Sequence, residues 1–329
     1  MGSDLYDTII IGGGPAGAAA AVYAGRKRLR TLLITTNFGG QSMVSADIQN
    51  WIGEVSIPGR ELAEKLKKHV EAQPDVEIKN PEKVLAVNEG RECIFEVKTD
   101  KGRAYRTKTV IVASGGRRKR LQVPGEDRLD GRGVAYCSTC DAPFFQDQDV
   151  AVVGGGNSAL ETVIDLAQYA IKIYLLIRGD QLRGDPTMQE KALKISQLQV
   201  INHAEVKEIL GDQEVDGLRY QDLQTGKSQE LLVSGVFVAI GSVPNSDFVR
   251  GLVDTNQAGE ILVDHKTSKT SKKGIFAAGD VTNDPFKQNN ISAGDGVRAA
   301  LSAYHYILDT QKYSPCADLA EEPGQSVSD

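Results

Sequence analysis

The sequence predicts an α/β protein made of two similar units, each with a parallel sheet, flanking helices and an inserted antiparallel sheet. Two observations predict this fold class: a strand, turn and helix pattern occurs twice, and a strand-rich stretch follows each copy. The length agrees with two units, because the chain has 329 residues. A single domain usually has about 100–200 residues.

The composition and charge exclude several other classes of protein. Hydrophobic residues make up 40% of the chain and charged residues 25%, unlike collagen-like, coiled-coil or disordered chains. The formal net charge of -6 gives no electrostatic reason to expect binding to nucleic acid or an anionic membrane. Apolar stretches fall short of the roughly 18–20 residues of a membrane-spanning helix, and few residues precede the first strand. We therefore expect a cytoplasmic protein.

The strand, turn and helix pattern begins at Asp7 and again at Asp149, an offset of 142 residues without a gap. In a dinucleotide-binding unit, the first glycine permits a tight turn and the second lets a pyrophosphate approach the backbone. The third keeps the helix close to the sheet. These positions hold Gly12, Gly14 and Gly17 in the first copy and Gly154, Gly156 and Ala159 in the second. One copy alone also occurs as a plain tight turn, whereas two copies predict two Rossmann-like domains.

Strands and hairpin turns follow each glycine loop. Residues 83–88, 93–99 and 105–114 are predicted strands with a turn at 100–102, and residues 206–240 repeat the pattern. These stretches predict the inserted antiparallel sheets.

The expected domain boundaries lie at two segments containing Pro and Gly, residues 121–126 and 241–245. We expect a discontinuous first domain of residues 1–117 and 248–315, and a second domain of residues 118–247. Residues 316–329 are acidic and contain Pro and Gly, so we expect a mobile tail.

Cys137 and Cys140 form a Cys-x-x-Cys pair. A structural disulfide across so short a loop would remove little chain entropy. Zinc needs about four ligands, and the remaining cysteines and histidines offer no second pair at metal spacing. The spacing of the pair in a reducing compartment favours a reactive dithiol, and inert buried thiols remain the alternative. We expect Cys93 in the core, and Cys316 as a free thiol or a second redox relay.

Together the motifs resemble the low-molecular-weight thioredoxin reductases and the related flavoprotein part of alkyl hydroperoxide reductase. The resemblance covers residues 5 to about 312. Its markers are residues 12–17, 39–41, 49–51, 113–116, 136–141, 154–159 and 276–281. The resemblance implies an oxidoreductase with FAD on the first domain, and a nicotinamide nucleotide and the redox cysteines on the second.

The resemblance also implies the FAD-contacting positions. They are Gly12, Gly14, Pro15, Ala16, Gly17, Gly40, Gln41, Asn50, Gly115, Gly279, Asp280, Lys287, Gln288 and Asn289. Asp280 would bind the ribityl chain. From its position alone, between an apolar strand and the last helix, Asp280 is also explained as a helix cap.

At the cysteine pair, the resemblance implies that Cys140 lies closer to the flavin and that Cys137 attacks the partner's disulfide. Asp141 matches the acid-base position, although its place in the sequence also fits a plain turn carboxylate. No metal is expected.

The second glycine loop, with Gly154, Gly156, Asn157, Ser158 and Ala159, is complete, but the following motif is altered. Members of the family that use NADPH have His-Arg-Arg-x-x-x-Arg after the next strand. Here Arg178 and Arg183 remain, whereas Ile177 and Gly179 replace the His and one Arg. Because no carboxylate ends the strand as NADH binding would require, we expect NADPH. Alternatively, both arginines are solvated surface charges. The electron donor is then NADH, ferredoxin or another molecule.

The resemblance therefore implies a thioredoxin-disulfide reductase that passes electrons from NADPH through FAD and the cysteine pair to a thioredoxin-like protein. A homodimer is implied by the family alone, and a separate acceptor protein is expected. A dithiol oxidase that uses oxygen and a flavin-containing redox sensor are alternative functions. The basic run at residues 117–120 is either a solvated loop or a docking patch for an acidic partner.

Overall fold

The computed structural model describes residues 5–45 and 47–312. The described residues group into two compact units. Those of 1–43, 57–116 and 244–329 form the first unit, and those of 44–56 and 117–243 form the second. The expected mobile tail at 316–329, with Cys316, lies outside the described residues. The assignment of one dinucleotide to each domain stays a prediction.

The strands and helices are numbered along the chain. The strands are β1 (Leu5–Gly13), β2 (Thr31–Phe38), β3 (Val76–Lys79), β4 (Val84–Glu89), β5 (Phe95–Thr99), β6 (Ala104–Val112), β7 (Gly116–Arg118), β8 (Val134–Ala135), β9 (Asp149–Val153), β10 (Lys172–Leu176), β11 (Leu198–Ile201), β12 (Ala204–Leu210), β13 (Gly217–Asp222), β14 (Ser228–Leu231), β15 (Gly235–Val238), β16 (Ser242–Pro244) and β17 (Ile275–Ala277). The α-helices are α1 (Pro15–Arg26), α2 (Gly59–Glu71), α3 (Ser138–Asp141), α4 (Asn157–Leu166), α5 (Pro186–Leu193) and α6 (Asn289–Lys312).

The sheet of the first unit has the strand order β3-β2-β1-β6-β5-β4, and β17 also pairs with β6. The neighbours β3-β2-β1-β6 are parallel and so is the pair β6 and β17, whereas β4 and β5 are antiparallel additions. Ile9 pairs with Leu32 and Val110, and all three are fully buried. Such continuous apolar runs form strands here because helices and loops cover both faces of the sheet.

Helix α1 packs closely on α6 through small residues. Ala20, Ala21 and Ala24 of α1 share a buried cluster with Ala299 and Ala303 of α6. This packing places the start of α1, directly after the first glycine loop, beside the start of the last helix.

The second unit has the parallel sheet order β11-β10-β9-β15-β8 and a separate antiparallel sheet of β12, β13 and β14. Val152 pairs with Leu175 and Phe237 in the buried centre of the parallel sheet. The predicted fold class is therefore confirmed: both units are α/β and both contain antiparallel strand pairs. No described helix is long and apolar enough to cross a membrane.

The expectation that Cys93 lies in a core strand is wrong. Cys93 ends a short 3-10 helix, Arg91–Cys93, has a φ of 55° and is only partly buried. The backbone N–H of Gly90 donates to the carbonyl of Ile94 at 2.7 Å and closes a turn, so the strand begins at Phe95.

Candidate functional site

The cysteine pair lies at the start of α3 in the second unit: Cys137 directly precedes this short helix, and Cys140 lies within it. Cys137 and Cys140 form a disulfide with a Cα–Cα distance of 5.3 Å. The carbonyl of Cys137 accepts hydrogen bonds from the backbone N–H groups of Cys140 at 3.2 Å and Asp141 at 2.9 Å. This single helical turn brings the two sulfurs together.

Asp141 ends that turn with a perturbed carboxyl. Burial raises the pKa of Asp141 from 3.8 to about 6, while a hydrogen bond from the Cys137 backbone and the charge of Arg118 partly offset the rise. Asp130 raises the pKa further by repulsion. A carboxyl with this pKa both takes up and releases a proton near neutral pH, as an acid-base group beside a dithiol must.

Asn50 lies beside the disulfide within the second unit. Its Nδ2 is 3.9 Å from the Sγ of Cys140, within the range of a hydrogen bond to sulfur. The family resemblance implies that Asn50 lies along the flavin, which stays a prediction. The contact with Cys140 is an additional property that spacing in the sequence does not indicate.

The first glycine loop has the shape of a pyrophosphate cradle. Gly12 has a φ of 115°, and a Cβ there would collide with the carbonyl of Ala113. A Cβ at Gly17 would collide with the carbonyl of Gly12, so this glycine keeps α1 against β1. Gly14 is the residue before α1, so no side chain caps the start of this helix. A Cβ at Gly14 would point into open space. The start of α1 is therefore accessible to a phosphate group.

A polar cluster in the first unit brings together several predicted FAD contacts. The carboxylate of Asp280 accepts hydrogen bonds from Nε2 of Gln41 at 3.3 Å and Oγ of Ser292 at 3.1 Å. Oγ of Ser42 donates to Oδ1 of Asn289 at 2.9 Å. Nζ of Lys287 donates to the carbonyl of Asp280 at 3.3 Å.

Other predicted FAD contacts in this unit lie in turns or at the starts of helices. Gly40, Gly115 and Gly279 have positive φ values of 56°, 63° and 72°. The carbonyl of Gln288 accepts from the backbone N–H of Ser292 at 2.9 Å in the first turn of α6. Pro15 and Ala16 are buried at the start of α1. The open loop at Gly14 and the Asp280 cluster thus offer phosphate and polyol recognition, which fits FAD.

The second glycine loop repeats the geometry of the first. Gly154 has a φ of 143°, and a Cβ there would collide with the carbonyl of Ala239, whereas the space at Gly156 is open. Ala159 is fully buried where α4 meets the sheet. Helix α4 begins at Asn157, whose Oδ1 accepts from the backbone N–H of Asp185 at 2.7 Å. This loop fits the pyrophosphate of a second dinucleotide.

The altered motif at residues 177–183 lies against this loop. The backbone N–H of Arg183 donates to the carbonyl of Gly155 at 2.7 Å. Ile177 is buried in the core of the unit, so a polar contact from that position is lost. Arg178 and Arg183 are exposed, and the charge of Arg178 contributes to lowering the pKa of Glu205, although no direct ion pair of either guanidinium is found among the described residues. Both are therefore available to an anionic ligand.

The basic run is partly neutralised within the second unit. Arg120 forms ion pairs with Asp127 at 2.6 Å and with Asp130, and its guanidinium stacks on the Tyr136 ring at 5.3 Å. This part of the run therefore stabilises the fold rather than offering a free charge.

Two residues that hydrogen-bond at the cysteine turn were missed in the sequence. They are Glu126, which accepts from Tyr136, and Asp165, which accepts from Ser138. No local motif marks them, because the partners that matter are distant in the sequence.

Known proteins resemble this chain over most of its length. A family profile described as pyridine nucleotide-disulphide oxidoreductase matches residues 6–301. Over 309 residues the chain is 43% identical to a component of alkyl hydroperoxide reductase from Pseudomonas putida, a match that covers 93% of this chain and 59% of that protein. Over 303 residues it is 40% identical to a Bacillus subtilis protein named NADH dehydrogenase, with 92% and 59% covered. The chain spans about three fifths of the length of these curated relatives.

Solved structures similar to this chain include proteins named thioredoxin reductase. Thioredoxin reductase from Streptococcus pyogenes has a TM-score of 0.87 and 38% identity, with 93% of this chain and 99% of that chain covered. Thioredoxin reductase from Giardia duodenalis also has a TM-score of 0.87, with 30% identity and coverage of 92% and 99%. These findings confirm the resemblance inferred from the motifs.

Proposed function

Because the chain belongs to the pyridine nucleotide-disulphide oxidoreductase family, we propose that it reduces the disulfide of a thioredoxin-like protein with electrons from NADPH. The chain is an oxidoreductase flavoprotein of the thioredoxin-reductase-like class. One observation carries the finer proposal: the Cys137–Cys140 disulfide lies beside the carboxyl of Asp141, whose pKa is about 6.

The family uses FAD and a nicotinamide nucleotide, and the residues of the first unit fit FAD. Gly12, Gly14 and Gly17 would hold its pyrophosphate, and the cluster of Gln41 and Asp280 would hold its polar chain. When bound, FAD supplies the carrier chemistry that links a nicotinamide hydride donor to a disulfide.

The cysteines and Asp141 account for the exchange with the partner. The Cys137 thiolate attacks one sulfur of the partner disulfide, and the other partner sulfur leaves as a thiolate that takes a proton from Asp141. Asp141, now ionised, takes the proton of the Cys140 thiol, and the Cys140 thiolate attacks the Sγ of Cys137. The bond between Cys137 and the partner breaks, and the second partner sulfur leaves as a thiolate that takes this proton from Asp141. Two electrons pass to the partner, and the Cys137–Cys140 disulfide is restored.

Two exposed arginines support NADPH as the donor. Arg178 and Arg183 follow the strand that borders the second glycine loop, and guanidinium groups pair well with a 2′-phosphate. The Arg183 backbone is also hydrogen-bonded to that loop, which supports a role for this residue in binding the dinucleotide.

A second candidate is a reductase that uses NADH and serves a peroxide-reducing partner. The names of the similar proteins from Pseudomonas putida and Bacillus subtilis favour it, as does the replacement of two family positions by Ile177 and Gly179. A preference for NADH over NADPH in steady-state turnover would select this candidate. A homodimer, which rests on the family resemblance, and a cytoplasmic location, which rests on the sequence, complete the proposal.

The Cys140→Ser variant tests the proposed electron path. We expect this variant to bind FAD and the donor still to reduce its flavin. Turnover with thioredoxin should be lost, because the disulfide between positions 137 and 140 cannot form. Cys93→Ser is the matched control, since Cys93 lies in the first unit outside the proposed path, and it should turn over normally. Thioredoxin reduction by Cys140→Ser at the wild-type rate would overturn the proposal.

A further inference from the structure

Both chain neighbours of Cys137 are hydrogen-bonded to carboxylates elsewhere in the second unit. The hydroxyl of Tyr136 donates to Oε1 of Glu126 at 2.8 Å. The hydroxyl of Ser138 donates to Oδ2 of Asp165 at 2.7 Å. When the residues before and after a cysteine are both held, the backbone of that cysteine is held as well.

The Glu126 anchor is buried and held by several hydrogen bonds. Glu126 is only 2% exposed, and its carboxylate accepts hydrogen bonds from two backbone groups as well as from Tyr136. The backbone donors are the N–H groups of Leu121 at 2.9 Å and Gln122 at 2.7 Å. Burial and the bond to Glu126 raise the pKa of Tyr136 far above its ordinary value, so the hydroxyl keeps its proton and continues to donate. Charge-assisted bonds of this kind are stronger than neutral ones.

The Asp165 anchor lies on a packed helix. Asp165 belongs to α4, whose buried face includes Leu160, Val163 and Leu166. Helix α4 therefore cannot move without disturbing the core of the unit. Ser138 is the first residue of α3, so its bond to Asp165 ties the start of the cysteine turn to that helix.

The next residue in the turn lacks such a tie. Thr139 is exposed, and in the described ranges its hydroxyl has no hydrogen-bond partner. Of the two residues between the cysteines, Ser138 is therefore anchored through its side chain and Thr139 is not.

We propose that Glu126 and Asp165 are positioning residues that hold the Cys137 thiol of the reduced enzyme where it can re-form the disulfide with Cys140. The proposal rests on the proposed function, in which the two cysteines cycle between dithiol and disulfide. A dithiol gains conformational freedom on reduction, and restraints that limit this freedom favour the disulfide. The two anchors should thus make the dithiol a stronger reductant.

A redox titration of the flavin-containing enzyme tests this inference without using turnover. The enzyme is equilibrated without oxygen in mixtures of reduced and oxidised dithiothreitol, then alkylated, and the peptide containing Cys137 and Cys140 is quantified by mass spectrometry. In the step measured, the two cysteine thiols lose two electrons and two protons to oxidised dithiothreitol. The Sγ–Sγ bond forms, and the reagent becomes a dithiol.

Ser138→Ala should move the equilibrium toward the dithiol by about fivefold, the size of effect expected for one hydrogen bond. At 29.6 mV for a tenfold change in a two-electron couple, this is about 20 mV toward less negative potential. Tyr136→Phe, which removes only the hydroxyl of the other anchor, should shift the potential in the same direction. Ser138→Thr retains a hydroxyl and should restore most of the wild-type value. Thr139→Ala is the matched control and should leave the potential unchanged.

The outcomes separate this inference from the proposed function. If the wild-type pair forms no disulfide across the titration, the proposed function itself fails. If the wild-type pair titrates normally and both Ser138→Ala and Tyr136→Phe match it, only the positioning role is overturned. An equal shift in Thr139→Ala would also overturn it, because the effect would then belong to the whole turn. Flavin content and far-UV circular dichroism verify that each variant is folded.

Discussion

Replacing Asp141 with Asn should stabilise the protein while slowing its chemistry. The structure partly buries Asp141 beside the disulfide, and the loss of solvation raises the pKa of its carboxyl from 3.8 to about 6. The enzyme therefore holds a mostly ionised, poorly solvated carboxylate at neutral pH, at a cost in folding free energy. Asn has nearly the same shape, still accepts a hydrogen bond from the Cys137 backbone and cannot ionise.

The size of the stability effect follows from the pKa. Between pH 3.8 and about 6 the native state binds more protons at this site than the unfolded chain, so stability falls as the pH rises through that window. At 1.36 kcal/mol for each pH unit, the loss approaches about 3 kcal/mol above pH 6. Asp141→Asn should match the wild type near pH 4 and exceed it by up to this amount at pH 7. At 2–4 °C per kcal/mol, the difference is roughly 6–12 °C in thermal midpoint.

The assay compares thermal midpoints of the oxidised enzyme from pH 4 to pH 8 with turnover on thioredoxin. Asp212→Asn is the matched control, because Asp212 is an exposed carboxylate of the same unit. Turnover of Asp141→Asn should fall by about 10²–10⁴-fold, the usual contribution of a general acid or base. If the difference in thermal midpoint between variant and wild type is the same at pH 4 and pH 7, the pKa of Asp141 is not raised and the stability argument is refuted. Full turnover would show that another group supplies the proton.

Two further predictions address the dinucleotide sites. Gly17→Ala should lower FAD retention by more than about tenfold, because the new methyl group collides with the Gly12 carbonyl and forces α1 away from β1; flavin absorbance per protein after gel filtration measures it. Gly294→Ala, whose Cβ meets open space in α6, is the control and should retain FAD. Arg178→Ala and Arg183→Ala should each raise KM for NADPH by about tenfold and leave KM for NADH unchanged, because each removes one guanidinium from the 2′-phosphate. Equal changes with both nucleotides would refute that role.

Local rules in the sequence predicted the two nucleotide folds. Gly12 and Gly154 adopt backbone angles that other residues rarely tolerate, and Gly17 and Ala159 lie where only a small residue fits. These requirements act within a few residues, so they are visible in a single sequence. The Cys-x-x-Cys spacing is equally local, because one helical turn suffices to bring the sulfurs together.

Contacts between distant segments could not be predicted in this way. The Asn50 amide meets Cys140 across 90 residues, and Ser138 meets Asp165 across 27. Arg120 carries the same charge as its neighbours in the basic run, and only the fold pairs it with aspartates. The prediction that Cys93 lies in a core strand was wrong for the same reason. The alternation of apolar residues does not reveal the turn before Phe95, where the strand begins.

The number of reducing equivalents taken up without oxygen tests the central claim most directly. We expect the wild-type enzyme to consume about two equivalents of NADPH per flavin, one for the flavin and one for the Cys137–Cys140 disulfide, since each is a two-electron couple. Cys140→Ser should consume about one equivalent. The account is contradicted if the wild-type enzyme and Cys140→Ser consume the same number of NADPH equivalents while the flavin of each enzyme is fully reduced. The disulfide would then not receive the electrons.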